Sequence, residues 1–234
     1  MVNMVSNVSR SRAIRSYVIR GGRFTKAQRR AFKQVWEEFG LDVGSGLLNV
    51  EVEFGLLAPL VIEIGFGMGD SLFDMAQKNP ENNFIGIEVY APGVGRLMNR
   101  AQSAGLTNLR IYLADANDVL ENCIGMGSID RLQLYFPDPW HKKKHHKRRL
   151  VQKEFAELVR SRLRLGGVFH MATDWQPYAE HMLSVMNLSE GFENCADTLG
   201  GYSLKPKYRP FTKFEQRGRQ LGYGTWDLLF KRRI

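Results

Sequence analysis

The chain has 234 residues, 44% of them hydrophobic and 24% charged. Against about 150 residues per domain, that length and composition predict one large packed α/β domain and exclude collagen-like, disulfide-scaffold and low-complexity proteins. The net charge of +9 is unevenly placed: residues 1–34 carry nine Lys and Arg and no carboxylate, whereas residues 35–234 carry 24 of each sign. A basic arm on a neutral body points to a polyanionic partner, nucleic acid or an anionic membrane surface, and composition does not choose between them.

Cys123 and Cys195 are the only cysteines, which fits a reducing, cytoplasmic setting rather than a disulfide framework. The most apolar stretch, Leu56 to Ile64, is broken by Pro59 and Glu63 and is far too short to span a membrane. The amino terminus lacks a signal-peptide apolar core, although an Arg-rich, acid-free start is also how a mitochondrial transit peptide reads.

In chain order, Thr25-Lys-Ala-Gln28 reads as a capping box opening a helix to about Phe39, followed by a Gly-rich linker at residues 40–46. From residue 60 onward, short β-branched or aliphatic runs alternate with helical patterns, the mark of βαβ units around a parallel sheet. The predicted strands are Leu60 to Ile64, Phe84 to Glu88, Leu109 to Leu113, Ile129 to Phe136 and Val168 to Thr173, with a closing strand from Gly222 to Phe230. Helices are predicted near 69–79, 91–105, 115–122, 148–164 and 175–188. In the fourth of these, Val151, Phe155, Leu158, Val159 and Leu163 share one face, and Gly166-Gly167 reads as its stop.

Glu63-Ile-Gly65-Phe-Gly67-Met-Gly69 places three glycines where the first strand hands over to a helix, a backbone turn suited to lie beneath a nucleoside. Glu88 ends the next strand about twenty residues on, placed to accept from ribose hydroxyls. The dinucleotide fingerprint would need glycine where Asp70 stands, and a carboxylate there repels a pyrophosphate. A nucleoside without phosphate and with a positive centre suits Glu63, Asp70, Glu88 and Asp115 better, and S-adenosyl-L-methionine is such a molecule.

After the fourth strand, Pro137 and Pro139 stiffen the backbone around Asp138 at the sheet edge where α/β proteins bind ligands. Lys142, Lys143, Lys144, Lys147, Arg148 and Arg149 follow at once, beside Trp140, and this favours RNA phosphate contacts next to a base pocket. His141, His145 and His146 lie among lysines that oppose a metal cation, so no metal is expected. Asp174 ends the fifth strand, and residues 205–219 interleave six more cations with Tyr208, Phe211 and Phe214. Asp174 and Glu215 are expected as acceptors for the N–H donors of a guanine edge.

The strings Glu63-Ile-Gly-Phe-Gly-Met-Gly69, Gly86-Ile-Glu88, Phe136-Pro-Asp-Pro-Trp-His-Lys142, Ala172-Thr-Asp-Trp175 and Thr212-Lys-Phe-Glu-Gln-Arg217 closely resemble the bacterial tRNA (guanine-N7)-methyltransferases over about residues 55–230. The resemblance implies an α/β, Rossmann-like class I methyltransferase fold, with a mostly parallel seven-stranded sheet and helices on both faces. It also implies S-adenosyl-L-methionine as methyl donor and the variable-loop guanine at tRNA position 46 as acceptor. Carried over by motif, Glu63, Gly65, Gly67, Glu88, Asp115 and Asp138 hold the donor and Asp138 is catalytic. Lys142, Asp174, Thr212, Lys213, Phe214 and Glu215 bind substrate. Residues 1–45 are read as a basic arm and helix, residues 46–234 as the methyltransferase domain, acting on tRNA as a monomer or homodimer. Two other readings stay open on the residues alone: a small-molecule methyltransferase, which has no use for the basic arm, and a non-catalytic RNA-binding module, which does not need the nucleoside pocket.

Overall fold

The computed structural model describes residues 15–17, 26–196, 198–212, 215–216 and 224–234. In chain order the elements are α1 (Lys26–Phe39), β1 (Gly40–Leu41), α2 (Val50–Phe54), β2 (Leu60–Ile64), α3 (Asp70–Lys78), β3 (Asn83–Glu88), α4 (Ala91–Ser103), β4 (Leu109–Leu113) and α5 (Ala116–Asn122), followed by β5 (Ile129–Tyr135), α6 (Lys153–Arg162), β6 (Leu163–Thr173), α7 (Gln176–Asn187), β7 (Phe192–Asn194) and β8 (Trp226–Arg232). The sheet runs β1-β4-β3-β2-β5-β6-β8-β7. Neighbours from β1 to β6 pair in parallel, and β8 pairs antiparallel with both β6 and β7.

Every residue of β2 and β3 is buried, as strands covered on both faces must be. One apolar layer joins Val35 and Phe39 of α1 with α3 and α4 against Val61, Phe84 and Ile111. The other joins α5, α6 and α7 against Ile62, Leu132, Leu134 and Phe169. Among the described residues no helix is long and apolar enough to cross a membrane.

Three local expectations change. The linker after α1 supplies β1, an eighth strand whose Gly40 and Leu41 pair with Ile111 and Tyr112; two residues are too few to show an alternating pattern. The fourth helix begins at Lys153 rather than 148, because residues 143–148 close into a 3₁₀ turn and Arg149 continues in extended backbone. Gly166 and Gly167 do not stop the helix. They lie inside β6 opposite a register shift at Ile129 and Arg131, where Gly166 takes φ 75° and a Cβ on Gly167 would sit 2.8 Å from the Ile129 carbonyl. The tight crossing of a bulged strand, not helix termination, is what needs glycine there. The closing strand starts at Trp226; Thr25 and Gly222 lie outside the described residues.

Candidate active site

The strand order reverses between β2 and β5, and the loops leaving these two strands open onto one cleft at the sheet's carboxyl edge. Gly65, Glu88, Tyr135 and Asp138 line it, and Ser16 and Tyr17 of the amino-terminal arm close one side. The glycine loop lies flat against the start of α4: a Cβ on Gly93 would meet the Gly67 carbonyl at 1.9 Å. That contact brings the Gly67 amide to Glu88, whose Oε2 accepts from it at 2.7 Å, while Oε1 accepts from the Val89 and Tyr90 amides at 2.7 and 3.0 Å. Three backbone donors thus fix this carboxylate at the cleft.

Glu63, Gly67 and Asp115 do not line the cleft themselves: Glu63 precedes the lining Ile64, Asp115 stands between the lining Ala114 and Ala116, and Gly67 is tied to the lining Glu88. Asp115 caps α5, accepting from the Asn117 amide at 2.9 Å, and is hydrogen-bonded by the Tyr17 hydroxyl. Glu63 is 3% exposed, and its Oε2 meets no hydrogen-bond partner among the described residues. Burial, and then the neighbouring Glu88 charge, push its carboxyl up to about 8. A carboxyl raised on folding favours the folded state at low pH and loses that advantage as pH climbs toward its folded value. At about 1.4 kcal/mol per pH unit, the native chain should lose about 3 kcal/mol relative to Glu63→Gln between pH 4.5 and 7. Denaturant titrations of both proteins across that range check this, and parallel curves would contradict it.

Asp138 is exposed on a loop bounded by two non-glycine residues in left-handed backbone, Phe136 at φ 51° and Trp140 at φ 48°. Such backbone persists only where surrounding contacts impose it. Here the Phe136 amide donates to the Ala172 carbonyl at 2.8 Å, the Trp140 indole N–H donates to the Ser16 carbonyl at 3.0 Å, and the Arg148 guanidinium lies 4.5 Å over the Trp140 ring. Past the loop, Lys142, Lys143, Lys144 and Lys147 are all exposed. Asp174, half-buried at the end of β6, precedes Trp175, which meets His141 edge-on at 4.4 Å.

Some expected residues stand elsewhere. Asp70 does not face the nucleoside: it pairs with Arg96 at 2.8 Å and Arg100 at 2.9 Å on α4. Arg149 is 4% exposed and turned inward, so it is not among the exposed cations facing RNA phosphates. Glu215 is 1% exposed and holds Arg209 at 2.8 Å, so it does not offer a guanine edge the open acceptor that was expected. Its amide donates to Thr212 Oγ1 at 3.1 Å; Lys213 and Phe214 lie outside the described residues. No cluster of three His, Cys, Asp or Glu side chains is placed to hold a metal ion among the described residues.

Beneath this segment lies a buried polar network that the sequence reading missed. Arg209 also donates to Asp227 Oδ2 at 2.8 Å, and His170 Nε2 stands 2.8 Å from Asp227 Oδ1. The Tyr135 and Tyr208 hydroxyls stand 2.9 and 3.1 Å from His170 Nδ1. Burial lowers the His170 pKa despite Asp227, so the ring is neutral at pH 7 with its proton on Nε2. Two partners of this network, Tyr208 and Arg209, lie in the basic-aromatic run already noted; Asp227, on β8, carried no local signal.

The reversed strand order and a carboxylate-lined nucleoside cleft at the strand ends define a Rossmann-like class I methyltransferase. Residues 57–228 match a protein family described as putative methyltransferase. The fold resembles the 16S rRNA methyltransferase KamB (TM-score 0.55, 16% identity, 91% of this chain and 96% of that one) and an rRNA methylase from Streptococcus thermophilus (0.51, 12%, 91% and 100%). In sequence the chain is 58% identical to the tRNA (guanine-N(7)-)-methyltransferase of Saccharophagus degradans, over 96% of this chain and 98% of that one. It is 54% identical to that of Marinobacter nauticus, over 96% and 94%. The chain belongs to the tRNA (guanine-N(7)-)-methyltransferase family.

Proposed function

We propose that the chain transfers the methyl group of S-adenosyl-L-methionine to N7 of the variable-loop guanine at tRNA position 46, forming 7-methylguanosine. One observation carries this reading: the carboxylate-lined cleft and the basic run Lys142 to Arg148, whose four lysines are exposed, are joined directly by the Asp138 loop. The residues fit the donor. Glu88, anchored by three amides, is placed for ribose hydroxyls, and the orphaned buried Oε2 of Glu63 suits a cationic group. Gly65, Gly67 and Asp115 shape the same cleft.

The bound donor supplies an electrophilic methyl on a sulfonium. Guanine N7 carries a lone pair and no proton, so the chain needs no strong base; its task is alignment, which supplies several kcal/mol of the barrier. Asp138 stands where its charge offsets the cation that moves onto the purine. Lys142, Asp174, Thr212, Lys213, Phe214 and Glu215 hold the acceptor, Glu215 by linking Thr212 to Arg209 rather than by direct contact. Because the deep major groove of A-form RNA is closed to side chains, the target base must be splayed out of the tRNA core. The basic arm within residues 1–45 and Lys144, Lys147 and Arg148 grip the flanking phosphates, and the enzyme works in the cytoplasm as a monomer or homodimer.

The test is incubation of unmodified tRNA transcript with labelled donor, followed by nucleoside mass spectrometry and mapping. One 7-methylguanosine in the variable loop is expected; donor binding without label in tRNA would redirect the reading to another acceptor. Binding to tRNA should weaken steeply with salt, and Lys144→Ala and Lys147→Ala should each reduce the log–log slope by roughly 0.7–1. A slope unchanged in both would remove them from the phosphate grip.

A further inference from the structure

We propose that Arg149 is a positioning residue for methyl transfer, the joint that holds the Asp138 loop in register with the phosphate-gripping turn. The idea rests on the reading of Asp138 as the residue at the transfer step. Arg149 ends the 3₁₀ turn of residues 143–148, its amide donating to the His146 carbonyl at 3.0 Å, yet its side chain runs back under the loop. There Nε donates to the Pro139 carbonyl at 3.0 Å, Nη2 stands 3.2 Å from His146 Nε2, and Nη1 reaches toward the Pro177 carbonyl at 3.5 Å. The guanidinium lies 4.8 Å over the Tyr178 ring, and Tyr178 is itself fully buried on α7.

Asp138 has an exposed side chain, so the peptides on either side of it decide where its carboxylate points. On the amino side, Phe136 is tied to β6 through the Ala172 carbonyl. On the carboxyl side the tie is Arg149 on Pro139, immediately before the left-handed Trp140. Ser16 and Arg148 hold the Trp140 ring, but only Arg149 ties the peptide before it; without that tie the Pro139–Trp140 peptide can rotate and swing Asp138 with it. A buried charge that serves phosphate binding would face outward; this one is spent on two carbonyls and an aromatic face. Lysine keeps the charge but cannot form a planar fork that bonds and stacks at once.

The experiment compares Arg149→Lys, Arg149→Met, Lys144→Ala and Asp138→Asn. Single-turnover methylation of a tRNA transcript is normalised to the S-adenosyl-L-methionine sites counted by equilibrium titration, so that misfolded protein drops out. Both Arg149 variants should lose about tenfold to a hundredfold in rate per donor site, the scale of a 1 Å misplacement, with donor affinity within about threefold. Their salt slope for tRNA binding should match the native protein, whereas Lys144→Ala should lower that slope. A native rate per site in the Arg149 variants beside a crippled Asp138→Asn overturns the positioning role alone. A slope lowered as in Lys144→Ala would make Arg149 a phosphate contact. Native turnover in Asp138→Asn would instead overturn the reading of Asp138 on which the proposal stands.

Discussion

Asp138→Asn is expected to lower the rate of tRNA methylation by about 10²-fold or more, while the protein still binds S-adenosyl-L-methionine within about an order of magnitude of the native affinity. The substitution keeps the shape of the side chain and removes only its charge. During transfer, positive charge leaves sulfur and settles on the purine ring, so a carboxylate held beside the acceptor is more favourable at the transition state than in the ground state. The side chain is exposed and flanked by Pro137 and Pro139, so its replacement should leave the backbone and the stability of the domain unchanged within about 0.5 kcal/mol. Stopped-time assays with saturating donor and tRNA, paired with donor titration, decide the matter. Near-native turnover with normal donor binding would show that Asp138 neither offsets the purine charge nor aligns the donor.

The second large effect is on folding. Arg209 is fully buried between Glu215 and Asp227, at 2.8 Å from each. Burial alone would raise the Asp227 carboxyl, but the hydrogen bonds from His170 and Arg209 and the Arg209 charge hold it below its ordinary value. Removing the guanidinium leaves two acids in a dry site with no cation between them. Arg209→Leu should therefore cost about 3–5 kcal/mol, roughly 10 °C in melting temperature for a domain of this size. The paired Asp227 adds stability above its unfolded pKa and loses it as pH falls through the lower folded value, so the variant should lack that acid-side decline. Because Arg209 also fastens Glu215, whose amide donates to Thr212, protein that survives should need more tRNA for half-maximal rate. A loss below about 1 kcal/mol would mean that water reaches the two acids and that the network is not dry.

The same residues show where sequence reading works and where it stops. The alternation of apolar strands and amphipathic helices located β2 to β5 within one residue at each end, because their local composition is strongly apolar. By contrast, β6 starts at Leu163, five residues before the expected Val168, through exposed Arg164, Leu165 and Gly166. The glycine turn, Glu88 and the Pro-Asp-Pro segment were legible for a related reason: turning, accepting and stiffening are properties of a residue and its immediate neighbours. Charge was less informative. Arg148 and Arg149 are adjacent and chemically identical, yet one lies over Trp140 among exposed lysines and the other is buried beneath the loop. Asp70, Asp138 and Glu215 are all acids near a motif, and their partners are two arginines of α4, solvent and Arg209 respectively.

The chain's local pattern was thus sufficient for an α/β sheet with a nucleoside cleft at its carboxyl edge, since burial period and turn chemistry are encoded within a few residues. Which charges stay exposed, which are buried beneath a loop in left-handed backbone, and which carboxyl is raised by burial follow from contacts between residues as far apart as Ser16 and Trp140 or His170 and Asp227. Desolvation and hydrogen-bond geometry set those outcomes, and both exist only once the chain has folded.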